Sequence, residues 1–449
     1  MSTFEHDLTK GNIWKQLVWF AVPFFISNLI QSLYSLIDLI ILGHFGGTNS
    51  ISAANIGGQV LVILTNLAAG LSGGGTVMLG NYLGSKRKDK INGAISTLLI
   101  TLTVMAAVFM VLLFILKQPL LRLLDTPEEA FSQAEQYLFI CTLGLLFIYG
   151  YNALSAIMRG LGDSRTPMIF VMIACVINII LDPVFIFVFD LGVSGAAIAT
   201  VLSQAVGAIW ILRFLSGKKT ILHLRKENFK LQKNIILPCL GLGISTFVML
   251  STESILSISF TSSLSRYGGD LAVGAMTIIT SVSQLATLPL QGICQGGQPI
   301  TRINFGAGNK ERVKKSFFTQ FTVCTVFTGC FWLIMLLFPR LFAGIFSNDT
   351  DLIAYTAWAL RIYMAGIFSL GFQVSCQQSF MALGQAKVSL LLACLRKLIL
   401  LIPLIFILPL FIQNKVFAVF LAEPISDILA AIITTSTFFR RFDKILDRR

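Results

Sequence analysis

The sequence predicts an all-α membrane protein with twelve transmembrane helices in two pseudo-symmetric bundles of six. Three observations support this fold class. The 449-residue chain is 55% hydrophobic and only 12% charged, whereas soluble domains contain about 25% charged residues. Its apolar stretches are long, and glycine patterns in the first half recur in the second. A soluble fold of this length could not bury so much apolar surface.

The apolar stretches have the length of membrane-spanning helices, which need about 20 residues to cross the hydrocarbon layer. The first stretch follows a short leader of mixed charge. It is too long for the apolar core of a signal peptide, so we expect it to be retained as a span. The predicted spans are residues 15–42, 52–81, 92–116, 134–158, 166–189, 194–215, 235–260, 270–304, 316–338, 352–380, 387–411 and 415–438.

Basic residues are distributed unevenly between the loops on the two sides of the membrane. The set of loops that includes both termini contains 26 of the 34 lysines and arginines, and the opposite set contains five. Because basic loops stay in the cytoplasm, both termini are predicted to be cytoplasmic in a multi-pass protein of the cytoplasmic (inner) membrane. The loops account for the net charge of +13, so the lipid bilayer is the expected partner and nucleic acid is not.

The two halves of the chain are related by one constant shift in numbering, which we call the repeat offset and define as the step from Gly70 to Gly292. The pattern Gly70, Gly74, Gly75 and Gly84 recurs as Gly292, Gly296, Gly297 and Gly306, and Gly162 recurs as Gly384. The repeat predicts an N-terminal bundle over residues 1–215, a basic cytoplasmic linker over 216–234 and a C-terminal bundle over 235–449. Transporters built from such parallel repeats bind substrate between the halves.

Five carboxylates lie within the predicted spans. Each costs about 3 kcal/mol at the centre of a bilayer, so they are expected to face the bundle interior or a wet cavity rather than lipid. They are Asp38, Asp182, Glu253, Glu423 and Asp427.

Two of these acids are predicted to lie at the same depth in the N-terminal bundle. Asp38 and Asp182 fall in the outer halves of spans one and five, and Tyr34, Asn178 and Thr200 lie at compatible depth. Their oxygens suit a proton or a hard cation, so Na⁺ is considered at Asp38, Asp182 and Asn178. Two close carboxylates in a low dielectric cannot both stay charged, so one should bind a proton. The alternative for Asp38 is an interfacial position that reaches water.

The acids of the second half allow two interpretations. Glu423 and Asp427 are four residues apart on one face of span twelve, and structural ion pairs are the favoured interpretation for them. Glu253, in span seven, has no obvious local partner, so a functional role and a structural role are equally supported. The candidate cationic partners within spans are Arg361, Arg396 and Lys397.

The chain contains no motif for nucleotide hydrolysis or hydrolytic catalysis. G-x-x-x-x-G-K-[ST], G-x-S-x-G and H-E-x-x-H are all absent. The eight cysteines fall inside apolar spans and there are only three histidines, so neither a metal cluster nor a disulfide framework is expected. We therefore predict that the protein is not an enzyme, has no cofactor and uses a gradient of H⁺ or Na⁺.

Several segments resemble the multidrug and toxic compound extrusion (MATE) family. They are PFFISNLIQSLYSLIDLIILGHFG, LGSKRKD, MRGLGDSRTP followed by INIILDPVFIF, SGAAIATVLSQ and FGAGNKERVKK. The resemblance covers nearly the whole chain. It implies two six-helix lobes around a V-shaped cavity, in a monomer that exports amphipathic, often cationic drugs in exchange for H⁺ or Na⁺.

The resemblance also implies roles for individual residues. Some members of the family bind the coupling cation in the N-terminal lobe, and another branch uses an acid in span seven, which Glu253 matches. Asn152 matches a position that lines the substrate cavity in some members. That branch also uses an acid in span ten, but residues 352–386 contain none, which favours an ion site in the N-terminal lobe. The positions that match the cation-coupling site of that lobe are Tyr34, Asp38, Asn178, Asp182 and Thr200.

Three functional hypotheses follow. The first is an ion-coupled exporter of organic cations, whose 37 phenylalanines and 12 methionines could line an adaptable apolar cavity. The second is a flippase for lipid-linked or amphipathic lipid substrates. A flippase for anionic head groups should carry several arginines or lysines in its cavity, and only three lie within spans. The third, a channel or receptor, is disfavoured by the duplication and by the lack of a filter-like segment.

Overall fold

The computed structural model describes residues 8–124, 126–215, 233–347 and 349–447. Within α1, the first helical element, the side chains of residues 34–36, 38–40, 42–49 and 51–52 lie outside the description. Nearly all described residues are helical, and no strand occurs among them. This agrees with the solvent properties of a bilayer, where each backbone N–H and C=O must be bonded within its own segment.

The first half of the chain forms five long helices. A short π-helical segment, Val184–Val188, follows the fourth and begins directly after Pro183. Proline lacks the N–H of a regular helical turn, so the local change of helix type follows from the sequence. The helices are α1 (Ile13–Gly84), α2 (Lys88–Leu123), α3 (Glu128–Gly160), α4 (Arg165–Pro183) and α5 (Gly192–Leu215).

The second half contains more elements, and most of them after α6 are shorter than those of the first half. It includes a 3₁₀ segment, Met364–Ser369, and a second π-helical segment, Leu395–Leu401. The helices are α6 (Lys233–Gly306), α7 (Lys310–Leu337), α8 (Pro339–Phe346), α9 (Thr350–Tyr363), α10 (Leu370–Ala382), α11 (Ala386–Cys394), α12 (Ile402–Phe411) and α13 (Lys415–Asp447).

The described residues contain eleven segments long and apolar enough to cross a membrane. One of them, Phe247–Gly306, has 60 residues. It is interrupted at Gly269, whose φ of 63° and ψ of −159° join two helices across a kink. This segment is therefore long enough for two spans, which brings the total to the predicted twelve. The predicted fold class, an all-helical multi-pass membrane protein, is confirmed.

The duplication is visible in the backbone. Gly162 and Gly384 both adopt the left-handed conformation, with φ of 87° and 76°. In each case the glycine N–H donates to the carbonyl three residues earlier, from Gly162 to Arg159 at 3.2 Å and from Gly384 to Met381 at 3.0 Å. Only glycine adopts this conformation without steric cost. The glycines that the sequence pairs at the repeat offset thus end equivalent helices in the same way.

Close packing between helices recurs at the repeat offset. A side chain at Gly75 would overlap Leu98, and one at Gly297 would overlap Gln320. Gly297 is the repeat partner of Gly75, and Gln320 is the repeat partner of Leu98. Glycine at these positions lets the helices approach closely, which is how membrane helices gain packing energy without a hydrophobic driving force.

Contacts divide the chain into two compact units. Unit 1 contains Leu8 and Ile26–Phe247, and unit 2 contains Thr9–Phe25 and Val248–Arg449. The two boundaries, after Phe25 and after Phe247, are again separated by the repeat offset. The first residues of the N-terminal repeat therefore belong to unit 2, and the first residues of the C-terminal repeat belong to unit 1.

The predicted bounds of the two bundles, residues 1–215 and 235–449, stay a prediction. The contact units differ from them at residues 9–25 and 235–247. The physical reason is close backbone packing, since a side chain at Gly296 would overlap the backbone of Ala21, and one at Gly243 would overlap Leu71. Residues 216–232, most of the predicted linker, lie outside the described residues.

Gly366 provides a test of the close approach between the 3₁₀ segment and α13. A Cβ atom there would lie 2.7 Å from the Cα of Pro424, a rigid backbone atom. We expect Gly366→Ala to destabilise the protein by about 1–3 kcal/mol through overpacking, measured as thermal unfolding of the purified protein in detergent. Gly329→Ala in α7 is the control, because nothing lies within 4 Å of that position. Equal melting temperatures for both variants would contradict the packing argument.

Candidate functional site

Among the described residues, buried carboxylates occur in two groups of polar side chains, one group in each unit. In unit 1 the residues are Asn178 and Asp182 on α4 and Thr200 on α5. Asp182 is 0% exposed and Asn178 is 1% exposed. Their spacing of four residues places them on one face of α4, and α5 packs against that helix. Asp182 immediately precedes Pro183 and the π-helical segment.

The amide of Asn178 connects Asp182 to Thr200. In the orientation that satisfies both neighbours, its nitrogen donates to Asp182 Oδ2 at 2.8 Å and its oxygen accepts from the Thr200 backbone N–H at 3.2 Å. The hydrogen-bond network decides this orientation, since the reversed amide has only a long contact of 3.5 Å to Thr200 Oγ1. A buried carboxylate is thereby held by a neutral donor.

The structure thus brings together three of the five residues predicted for cation coupling. The other two, Tyr34 and Asp38, lie on α1 among the side chains outside the description. Their place beside Asp182 stays a prediction, as does the coupling role of all five. Among the described residues, no group of three or more His, Cys, Asp or Glu side chains could hold a metal ion.

Asn152, the residue predicted to line a substrate cavity, is half-buried on α3. Its side-chain nitrogen donates to the carbonyl oxygen of Ile148, one turn earlier, at 2.9 Å. This bond leaves the amide oxygen available for another partner. The predicted role in substrate binding stays a prediction.

In unit 2, five charged residues form a cluster, which we call the α13 cluster. Arg396 lies in the second π-helical segment, and Glu423 and Asp427 lie on α13. Arg396 Nε donates to Asp427 Oδ1 at 2.7 Å, and its Nη2 lies 2.6 Å from the same oxygen and 3.1 Å from Glu423 Oε1. The predicted ion pairing of Glu423 and Asp427 is confirmed, with Arg396 as the cation.

The other two members of the α13 cluster are Lys397 and Glu253. Lys397 Nζ forms an ion pair with Glu253 Oε1 and lies 3.4 Å from the carbonyl oxygen of Met249. Glu253, which has no obvious local partner in the sequence, thus has a distant one, and its functional or structural role stays open. The two residues are 144 positions apart, so no local pattern could have revealed the pair. Arg361, the third candidate cation, has no ion pair with any residue that the structure describes.

The π-helical segment explains how neighbouring residues serve different partners. In a π-helix the turn is wider than in an α-helix, and consecutive Arg396 and Lys397 contact acids on two different elements, α13 and α6. Ser426 fixes the segment by donating to the carbonyl oxygen of Arg396 at 2.8 Å. Sequence analysis did not identify Ser426, because serine in an apolar helix carries no distinguishing signal.

Taken together, duplicated helical halves with buried carboxylates inside their spans define a polytopic membrane transporter. Comparison with known proteins specifies the family. The MatE family model matches residues 23–184 and 245–407, one match in each repeat. The chain therefore belongs to the MATE family of efflux transporters.

Individual relatives agree with this assignment. The probable multidrug resistance protein YpnP of Bacillus subtilis is 30% identical over 365 residues, 80% of this chain and 81% of the relative. The multidrug export protein MepA of Staphylococcus saprophyticus is 24% identical over 94% of both chains. The crystal structure of a MATE protein in the bent conformation matches with a TM-score of 0.93 at 23% identity, over 100% of this chain and 99% of that chain.

The α13 cluster makes a prediction about stability. Arg396→Met leaves two buried carboxylates without their cation, so we expect a loss of about 3–5 kcal/mol. Lys397→Met is the matched control from the same segment, because its partner Glu253 is 65% exposed, and its loss should stay below about 1 kcal/mol. Thermal unfolding of both variants in detergent measures the difference. Losses of similar size in both variants would show that Arg396 does not neutralise the acids of α13.

Proposed function

We propose that this chain exports amphipathic organic cations in exchange for H⁺ or Na⁺. It would act as a monomer by alternating access in the cytoplasmic membrane, with both termini in the cytoplasm. Family membership and the names of its curated relatives support export of drugs. The observation that carries the coupling proposal is the fully buried Asp182, held by Asn178 inside a membrane span.

Burial of Asp182 provides a physical basis for coupling. A charged carboxylate is costly in a low dielectric, and the hydrogen bond from Asn178 offsets part of that cost. Binding of H⁺ or Na⁺ neutralises the charge, so the two forms of the site differ in the free energy of the surrounding helices. Asp38 on α1 would supply the second carboxylate. Exchange of the small cation for cargo would then bias the chain between two conformations.

The orientation of Asn178 favours H⁺ over Na⁺. In the orientation that the hydrogen-bond network assigns to the amide, its nitrogen points at Asp182. Na⁺ requires oxygen ligands, so its binding between the two residues would need the amide to turn and lose both hydrogen bonds. A proton binds to the carboxylate oxygen without that change. We therefore propose H⁺ as the coupling ion and retain Na⁺ as the alternative that the transport experiment decides.

Cationic cargo follows from the charges inside the helices. Without a bound cation, Asp182 adds a negative charge in the interior of unit 1. A cation is attracted to such sites, whereas an anionic head group is repelled. The flippase hypothesis is less well supported, because Arg396 and Lys397 are already neutralised by acids.

The coupling proposal predicts the effect of removing single carboxylates. We expect Asp182→Asn and Asp38→Asn each to abolish drug export from cells at unchanged protein level, because each removes the charge that the coupling ion neutralises. Glu253→Gln should reduce export only in part, since Glu253 is exposed and paired with Lys397. Glu128→Gln, an exposed acid in the first turn of α3, is the control and should retain export. Normal drug resistance in both aspartate variants would refute the assignment.

Purified protein in lipid vesicles identifies the ion. Imposing a pH gradient or a Na⁺ gradient one at a time, with a fluorescent organic cation as the probe, separates the two. We expect the pH gradient alone to drive transport of the probe. Transport that responds only to Na⁺ would assign Na⁺ to the site and refute the argument from Asn178. Transport of the probe at the same rate in the absence of both gradients would refute ion coupling.

A further inference from the structure

We propose that the α13 cluster is a second proton-binding site, in which Glu423 carries a dissociable proton. It goes beyond the proposed function, which uses the carboxylates of unit 1 only. The ligand is a proton taken from water. It binds at Glu423 Oε2 and returns to water when it leaves.

The charges of the cluster do not balance. Three acids, Glu253, Glu423 and Asp427, face two cations, Arg396 and Lys397. Arg396 directs Nε and Nη2 at Asp427, at 2.7 and 2.6 Å, and reaches Glu423 only through the shared Nη2 at 3.1 Å. Lys397 is engaged by Glu253. Glu423 is thus the acid with the weakest compensation.

Glu423 is also deeply buried. Its exposed fraction is 8%, and its Oε2 atom receives no hydrogen bond from any residue that the structure describes. A buried carboxylate oxygen without a donor keeps the full cost of its desolvation. A proton on Oε2 removes the charge, and burial of a neutral acid costs much less than burial of a carboxylate.

The groups around Glu423 strengthen the same preference. Asp427 is one turn away on α13, Glu253 faces it from α6, and Tyr363 of α9 adjoins the cluster; none of the three supplies a positive charge. The cations that face it are Arg396 and Lys397, both from the π-helical segment. Negative neighbours disfavour the ionised form of an acid.

A proton suits the cluster better than a metal cation. A metal ion beside Glu423 would lie close to the guanidinium group, which is 3.1 Å from that carboxylate, and like charges repel. The described residues also contain no group of three acids arranged to coordinate a metal. A proton needs a single oxygen and no coordination shell.

The duplication argues against a purely structural role. At the repeat offset, Glu423 aligns with Val201, Asp427 with Ala205 and Arg396 with Ala174. In unit 1 a side chain at Gly144 would overlap Val201, and in unit 2 one at Gly366, its repeat partner, would overlap Pro424. The same helix packing therefore forms in unit 1 without any of these charges.

Infrared spectroscopy of the protein in lipid nanodiscs tests the proposal. A protonated carboxyl group shows a C=O stretching band that a carboxylate lacks. We expect such a band at neutral pH, and we expect it to shift when the protein is labelled with ¹³C-glutamate, to disappear in alkaline buffer and to be lost in Glu423→Gln. Glu128→Gln, an exposed acid of α3 outside the cluster, is the control and should keep the band.

Several results would overturn the proposal. They are the absence of a glutamate-sensitive band, a band that survives Glu423→Gln, or a band that shifts only with ¹³C-aspartate. If Glu423→Gln fails to fold, labelling of the wild-type protein decides, because Glu423 is the only buried glutamate among the described residues. The Asp182→Asn variant should keep the band, so failure of the coupling proposal and failure of this one are distinguishable.

Discussion

A carboxylate inside a bilayer must be neutralised or hydrogen-bonded, and this constraint organises the polar interior of the protein. In unit 1, Asp182 is fully buried and is held by the neutral amide of Asn178. In unit 2, Asp427 is held by a guanidinium group at 2.6–2.7 Å. The donor to Asp182 is a neutral amide, whereas the donor to Asp427 is a cation that neutralises the carboxylate directly. The two halves thus hold buried acids with different donors, although they share one architecture.

The shared architecture depends on glycine. Helices in a membrane gain little from hydrophobic association, so they need close contact between their backbones. The glycines that recur at the repeat offset supply these contacts, as Gly75 against Leu98 and Gly297 against Gln320 illustrate. The polar side chains are absent from this repeated pattern, since Asp182 aligns with Leu404 and Glu423 aligns with Val201. Duplication therefore preserved the packing while the charged sites diverged.

Elements that depend on local pattern were predictable from the sequence. Apolar runs identified the spans, and Gly162 and Gly384 identified equivalent positions of the two repeats. The structure shows that both glycines have the same left-handed backbone conformation. Contacts between distant segments were less accessible. Asn178, Asp182 and Thr200 could be grouped by depth, because spans five and six are adjacent in the chain. The Glu253–Lys397 pair could not be predicted in this way, because depth in the membrane does not distinguish between side chains of different helices at the same height.

The sequence by itself determined the helical class, the span count, the duplication and the family resemblance, because hydropathy and glycine spacing act along the chain and need no knowledge of neighbours. Only the tertiary structure decided that residues 9–25 pack with unit 2 and that Asn178 forms a hydrogen bond with Asp182. It also decided that the neighbours Arg396 and Lys397 form ion pairs with acids on two different helices. These features depend on side-chain direction and on a local π-helical turn. Both arise when helices pack against each other, and neither leaves a periodic trace in the sequence.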